Sequence, residues 1–190
     1  MSPQEVLRRI TVALDRVGID YMLTGSFASA HYGSMRSTMD IDLVIAATRG
    51  QVEAFLSSLS SDEYYAELQA ALEAQSRESM FNIIDLAGGW KIDLIFRKSR
   101  AFSQEEFSRR RLLNMDGVPL FVATAEDVVI AKLEWAKLGQ SQRQLEDVAA
   151  ILRLRRHELD YVYLQRWIIP LELSREWDMA KAAAGISEHQ

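Results

Sequence analysis

Apolar residues recur at helical spacing over Val6, Leu7, Ile10, Ala13, Leu14 and Val17, which predicts an amphipathic helix with one buried face. Its ends are marked in the sequence. Ser2 is placed to cap it, Pro3 suits the first turn, Glu5 follows the cap by three residues, and Gly18 ends it. Residues 20–24 then read as a short strand, and 26–32 as a short helix that stops at Gly33. Residues 41–47 are aliphatic and β-branched, the pattern of a buried strand. Thr48 caps a helix over 49–59, and a polar, acidic helix is predicted near 63–75. Two strands, 80–86 and 90–96, flank Ala87-Gly88-Gly89, a hairpin signal. Ser103 opens a charged helix, residues 114–117 form a turn, and 118–123 are the last predicted strand.

From Thr124 the period changes. Residues 125–138, 142–155 and 159 onward all repeat as helices, with Gly139-Gln140-Ser141 as a helix-helix turn. The expected architecture is therefore α+β: a small mixed sheet flanked by helices over 1–123, with a C-terminal helical bundle over 124–190 packed on it. No repeat or low-complexity linker interrupts the chain.

Composition narrows the function classes. Asp and Glu total 27 against 22 Lys and Arg, for a net charge of −5, which argues against a strongly basic nucleic-acid coat. The dense basic cluster is Arg109-Arg110-Arg111 with Arg97, Lys98 and Arg100. A solvated helix face is its default reading, and an RNA backbone site the alternative. The chain has no cysteine, which excludes disulfides, thiolate metal sites and thiol nucleophiles. There is no apolar signal core at the start and no apolar run long enough to span a bilayer, so a cytoplasmic protein without membrane partners is expected. Met22, Met80, Trp90, Trp135 and Trp167 fall at core spacing and are expected to pack. His31 is expected to be a partly buried structural imidazole, with a base role as the alternative.

The candidate chemistry lies in TGSFASAHYGSMRSTMDIDLVI, residues 24–45. Strand side chains alternate faces, so Asp40 and Asp42 point one way and Ile41 and Leu43 the other. Two carboxylates one strand-repeat apart repel unless a cation lies between them, and hard divalent ions favour such oxygen ligands. An isolated Asp-x-Asp is more often a solvated strand end. Here it has company. Lys91-Ile92-Asp93 repeats the pattern on a second strand, with Lys91 and Asp93 on one face. Upstream, Gly25-Ser26 sits between a strand and a helix start, where free N–H groups and the helix dipole favour a phosphate. Lys91 has two readings of equal standing, as a phosphate counter-charge or as a partner of Asp93 or Asp42. Arg36 either contacts a triphosphate or is a solvated loop residue. Thr38 shapes the turn before the acids.

Gly25-Ser26, then Arg36-Ser37-Thr38-Met39-Asp40-Ile41-Asp42-Leu43, then Lys91-Ile92-Asp93 resemble the nucleotidyltransferase superfamily that includes DNA polymerase beta, and within it the AbiEii-type toxin branch and related nucleotidyltransferases. Two further stretches, residues 125–132 and 143–147, resemble that branch's third and fourth motifs. The resemblance implies the minimal nucleotidyltransferase fold, with Asp40, Asp42 and Asp93 holding Mg²⁺ or Mn²⁺. It also implies that Lys132 helps hold nucleotide phosphate and that Asp147 helps order the site, with Asp127 and Arg143 in support. Read from spacing alone, Arg143 and Asp147 are a surface ion pair along a helix.

Two functions follow as expectations. One is an enzyme that moves a nucleoside monophosphate from an NTP to an acceptor such as tRNA, protein or a small molecule. By resemblance this enzyme could be the toxin of a toxin-antitoxin pair, with an antitoxin as partner. The other is a non-catalytic nucleotide- or partner-binding module that keeps the fold.

Overall fold

Strands of 41–46 and 90–96 carry apolar residues on both faces because both are central in a sheet. The computed structural model describes residues 2–34 and 37–186. They divide into two compact units, one of Met1–Phe27 with Ser37–Ala123 and one of Ala28–Arg36 with Thr124–Gln190.

The first unit carries α1 (Pro3–Arg16), β1 (Asp20–Thr24), β2 (Asp40–Ala46), α3 (Arg49–Ser58), β3 (Tyr64–Tyr65), α4 (Leu68–Ser76), β4 (Met80–Asp85), β5 (Trp90–Phe96), α5 (Ala101–Ser108), β6 (Arg111–Met115) and β7 (Val118–Val122). Between β1 and β2 runs α2 (Gly25–Tyr32), whose first residues belong to this unit and whose remainder belongs to the other. The seven strands form one mixed sheet in the order β3-β4-β5-β2-β1-β7-β6. β2 lies parallel to β5 and antiparallel to β1, and β1 lies parallel to β7. Ile41, Leu43, Ile92 and Leu94 on these central strands are at most 1% exposed. Helix α1 packs its Val6, Leu7, Ile10 and Leu14 face toward β1 and β7.

Local chemistry fixes the element ends. The Ser2 hydroxyl accepts from the Glu5 N–H, with Pro3 at the first turn of α1. Thr48 and Gln51 form a reciprocal capping box on α3, and the Gln51 amide also donates to the Gly18 carbonyl at 2.6 Å, tying α3 to the end of α1. At the β6–β7 hairpin, Asp116 and Gly117 both have positive φ, 50° and 85°, as a tight two-residue turn between right-twisted strands requires.

The second unit holds α6 (Ala125–Gly139), α7 (Gln142–Arg155), α8 (Tyr161–Ile168) and α9 (Ser174–Ala184). α7 packs on α6 and α9, and α6 also meets α8. Val129, Ile130, Leu133, Val148, Ile151, Leu152 and Leu164 are fully buried there.

Several expectations are corrected. The helix expected near 63–75 begins only at Leu68, because Tyr64 and Tyr65 pair with β4 as a short edge strand. α5 begins at Ala101, before Ser103, and Ser103 accepts from the Arg100 side chain instead of capping the helix. β6 was not expected: its burial pattern is that of an exposed edge and carries no clean alternation. Met80 and Trp135 are 38% and 53% exposed rather than core. His31 is exposed, with its ring against Tyr32. The arginines at 97 and 110 lie over the Phe107 ring, and Arg110 also lies over Phe121 and pairs with Asp20. They pack against aromatic faces, so the basic run is not a continuous solvated stripe.

Candidate active site

β2 and β5 are parallel and in register, with Asp40 opposite Lys91 and Asp42 opposite Asp93. Directly paired residues of a sheet share a face, as do residues two apart. Asp40, Asp42, Lys91 and Asp93 therefore stand together on one face of the central sheet, although about fifty residues of chain separate the two pairs. Asp93 is 5% exposed, Asp42 half-buried, and Asp40 exposed at the start of its strand.

β1 completes the group. Thr24 is paired with Asp42, and the next residue, Gly25, has φ of 64°. A Cβ on Gly25 would lie 2.0 Å from Asp42 Oδ2 and 2.5 Å from its Cγ. The Gly25 backbone is thus pressed against the Asp42 carboxylate, a closeness only glycine permits. α2 starts at this residue, so its first N–H groups open beside the acid. Ser26 follows and is 8% exposed. Phe27 lies 6.0 Å, ring to ring, from Trp90 at the start of β5 and holds that turn against the sheet. Thr38 accepts from the Asp40 N–H at 3.1 Å and shapes the chain just before β2. Arg36 lies outside the described residues.

The electrostatics centre on Lys91. Its ammonium donates to Asp93 Oδ2 at 2.6 Å. That hydrogen bond raises the Lys91 pKa, burial opposes it, and the charges of Asp93, Asp40 and Asp42 raise it further. One cation thus senses all three acids. The other Asp93 oxygen, Oδ1, is buried and has no hydrogen-bond partner, an arrangement that normally costs stability unless a ligand completes it. Among the described residues, no three acidic or histidine side chains stand as a ready metal cluster; at Asp93 the cation in contact is the Lys91 ammonium. The donor set nevertheless fits a hard divalent ion. It offers all-oxygen ligands and one orphaned buried oxygen, Asp93 Oδ1.

The remaining residues singled out in the sequence lie in the second unit. Lys132, 3% exposed, donates to Asp147 Oδ2 at 2.6 Å and to Gln144 at 3.0 Å. Ser34 donates to Asp147 Oδ1 at 2.6 Å. Asp127 is fully buried. It accepts from the Tyr163 hydroxyl at 2.5 Å and from the Thr124 hydroxyl at 2.6 Å, beside the cap of α6. Arg143 is exposed on the first turn of α7. Ser34 was not singled out in the sequence: nothing local marks a serine that bonds to a carboxylate 113 residues away.

No protein-family model matches the chain, and no curated protein does. Solved structures do match. The antibiotic-resistance factor ANT(2'')-Ia aligns over 93% of this chain and 94% of its own, with TM-score 0.54 and 14% identity. An antigenic nucleotidyltransferase-like protein from Paracoccidioides brasiliensis aligns over 96% of this chain and 92% of its own, with TM-score 0.50 and 17% identity. The fold is that of nucleotidyltransferases. At such identities the likeness carries the architecture, and the chemistry rests on the side chains above. Among the described residues, no helix is long and apolar enough to cross a membrane.

Proposed function

We propose that the chain is a divalent-metal-dependent nucleotidyltransferase, moving a nucleoside monophosphate from an NTP to an acceptor. One observation carries the reading: Asp42 and Asp93 share a register on adjacent strands, with the Gly25 backbone against the Asp42 carboxylate.

In this reading Gly25 and Ser26 receive the β- and γ-phosphates at the start of α2, where N–H groups point outward. Asp40, Asp42 and Asp93 hold Mg²⁺ or Mn²⁺. Such an ion would supply Lewis-acid activation of the attacking hydroxyl and charge stabilisation for the departing pyrophosphate. Asp93, buried on β5 beside Asp42, takes the acceptor proton as the oxygen–Pα bond forms. The Pα–oxygen bond to the β-phosphate breaks, and pyrophosphate carries away the electron pair. Lys91, and Arg36 before the acids, neutralise phosphate charge. Thr38 sets the angle at which Asp40 leaves the turn. Within the helical unit, Lys132, Asp127 and Asp147 lie in buried hydrogen-bonded networks that order its helices, and Arg143 is assigned a supporting role by the resemblance alone. The acceptor in this reading is RNA, such as a tRNA end, a protein or a small molecule; a toxin role with an antitoxin partner is a separate proposal, supported by the sequence resemblance alone.

The second reading, a non-catalytic nucleotide- or partner-binding module, draws support from the Lys91–Asp93 bridge, which already neutralises one acid. The two readings separate on labelling. The protein is incubated with each labelled NTP, Mg²⁺ and total cell RNA or protein, and the labelled acceptor is identified. Asp42→Asn is expected to lower labelling by at least about a hundredfold while its melting temperature without Mg²⁺ stays level or rises, because removing one of several neighbouring negative charges relieves repulsion. Parental labelling by Asp42→Asn overturns the metal assignment. Unfolding of that variant makes Asp42 structural. NTP binding with no labelled acceptor under any condition favours the module.

A further inference from the structure

We infer that Lys91 is a built-in counter-ion that competes with the divalent cation for Asp93 and keeps the metal site closed until a nucleotide draws the ammonium away. The inference rests on the proposed site and concerns how that site is regulated.

Asp93 is held by Lys91 on one oxygen at 2.6 Å and by nothing on the other. A cation seated on this carboxylate meets the ammonium at contact distance, so the two positive charges cannot share it without repulsion. The two partners differ in freedom. The Asp93 side chain is 7% exposed and fixed in the centre of β5, whereas that of Lys91 is 39% exposed. Lysine has a long flexible stem and a compact point charge, so the lysine is the partner that moves. Asp40 and Asp42 act on the same ammonium from the neighbouring strand. The three acids are thus neutralised in part by a charge of the protein's own, which limits the repulsion they would otherwise impose on the fold.

A triphosphate changes the balance. Its oxygens offer the displaced ammonium a new charge-assisted partner, which would leave the Asp93 carboxylate available to a divalent ion. Metal and nucleotide binding become reciprocally favourable, as linkage requires when each relieves a cost borne by the other. Without nucleotide, the intact protein binds divalent ions weakly.

The test is calorimetric titration of Mn²⁺ into the intact protein and into Lys91→Met, Lys91→Gln and Asp93→Ala, first without nucleotide and then with a non-hydrolysable NTP analogue. Both Lys91 variants are expected to bind Mn²⁺ about tenfold tighter than the intact chain without nucleotide, a difference of about 1.4 kcal/mol. The analogue should tighten Mn²⁺ binding in the intact protein much more than in the Lys91 variants. Without metal, the Lys91 variants should melt below the intact protein, and saturating Mn²⁺ should close that gap. Equal or weaker Mn²⁺ binding by both Lys91 variants, with Asp93→Ala still losing the ion, overturns the counter-ion role and leaves the metal site standing. No Mn²⁺ binding by any form, even with the analogue, overturns both.

Discussion

Gly25 concentrates the site's demands in one residue. Its φ of 64° lies in the left-handed region, and the missing Cβ would fall 2.0 Å from Asp42 Oδ2. Gly25→Ala must therefore bear backbone strain of about 1–2 kcal/mol and also push the Asp42 carboxylate away from β1. The variant should lose about 1–3 kcal/mol of stability, measured by urea unfolding, and lose Mn²⁺ binding and NTP-dependent labelling out of proportion to that. Gly89 separates the two costs. It has φ of 70° but nothing within 4 Å of an added Cβ, so Gly89→Asn carries the strain in a residue that tolerates it and should keep binding and labelling intact. If Gly25→Ala binds Mn²⁺ normally, Asp42 is not a ligand.

Between elements, the buried bridge of α6 to α7 is the most consequential contact of the helical unit. Lys132 and Asp147 have side chains 4% and 6% exposed, and Ser34 closes the other carboxylate oxygen. Removing only the lysine leaves the aspartate charge in a desolvated place. Lys132→Met should therefore cost about 3–5 kcal/mol, read by chemical unfolding. Adding Asp147→Leu should recover part of that loss, because the stranded charge is gone. Additive losses would mean that the bridge carries no coupling of its own. This bridge also marks the limit of what the sequence discloses. The strands, the α1 and α3 caps and the acid pattern were legible because spacing and capping are local. Asp42 and Asp93 could be assigned to strands, yet their shared register is a long-range property of the sheet order. Asp147 stood four residues after Arg143 and read as a surface pair, while its buried partners come from α6 and from the segment after α2. β3 and β6 escaped notice because edge strands have only one neighbour and need little alternation. Lys91 was visible as a charge next to Asp93, but not as the cation that three acids act on.

For the molecule as a whole, buried phenols tie stability to alkaline pH. Burial raises the pKa of Tyr21 above its ordinary value of 10.0, with the Asp15 charge adding to it. Burial likewise raises Tyr64, against the opposing pull of Arg9, and raises Tyr161. The direction sets the sign. Where the unfolded chain has released its phenolic protons and the folded chain still holds them, a rise in pH draws the equilibrium toward the unfolded state. The stabilisation is whole below about pH 10 and is lost as pH climbs through the raised folded values. The melting temperature should be nearly level from about pH 7 to about pH 9 on this account and fall above about pH 10. Tyr21 is 4% exposed and Tyr161 40% exposed, so the two should not contribute alike. Tyr21→Phe keeps the ring in the core and removes the titrating group, which should flatten the alkaline fall. Tyr161→Phe should leave the profile close to that of the intact chain. Melting curves across this range, followed together with tyrosinate absorbance, check the account. An alkaline fall as steep in Tyr21→Phe as in the intact protein would remove Tyr21 as its source and shift the burden to other raised groups of the sheet unit, Tyr64 and the Lys91 ammonium.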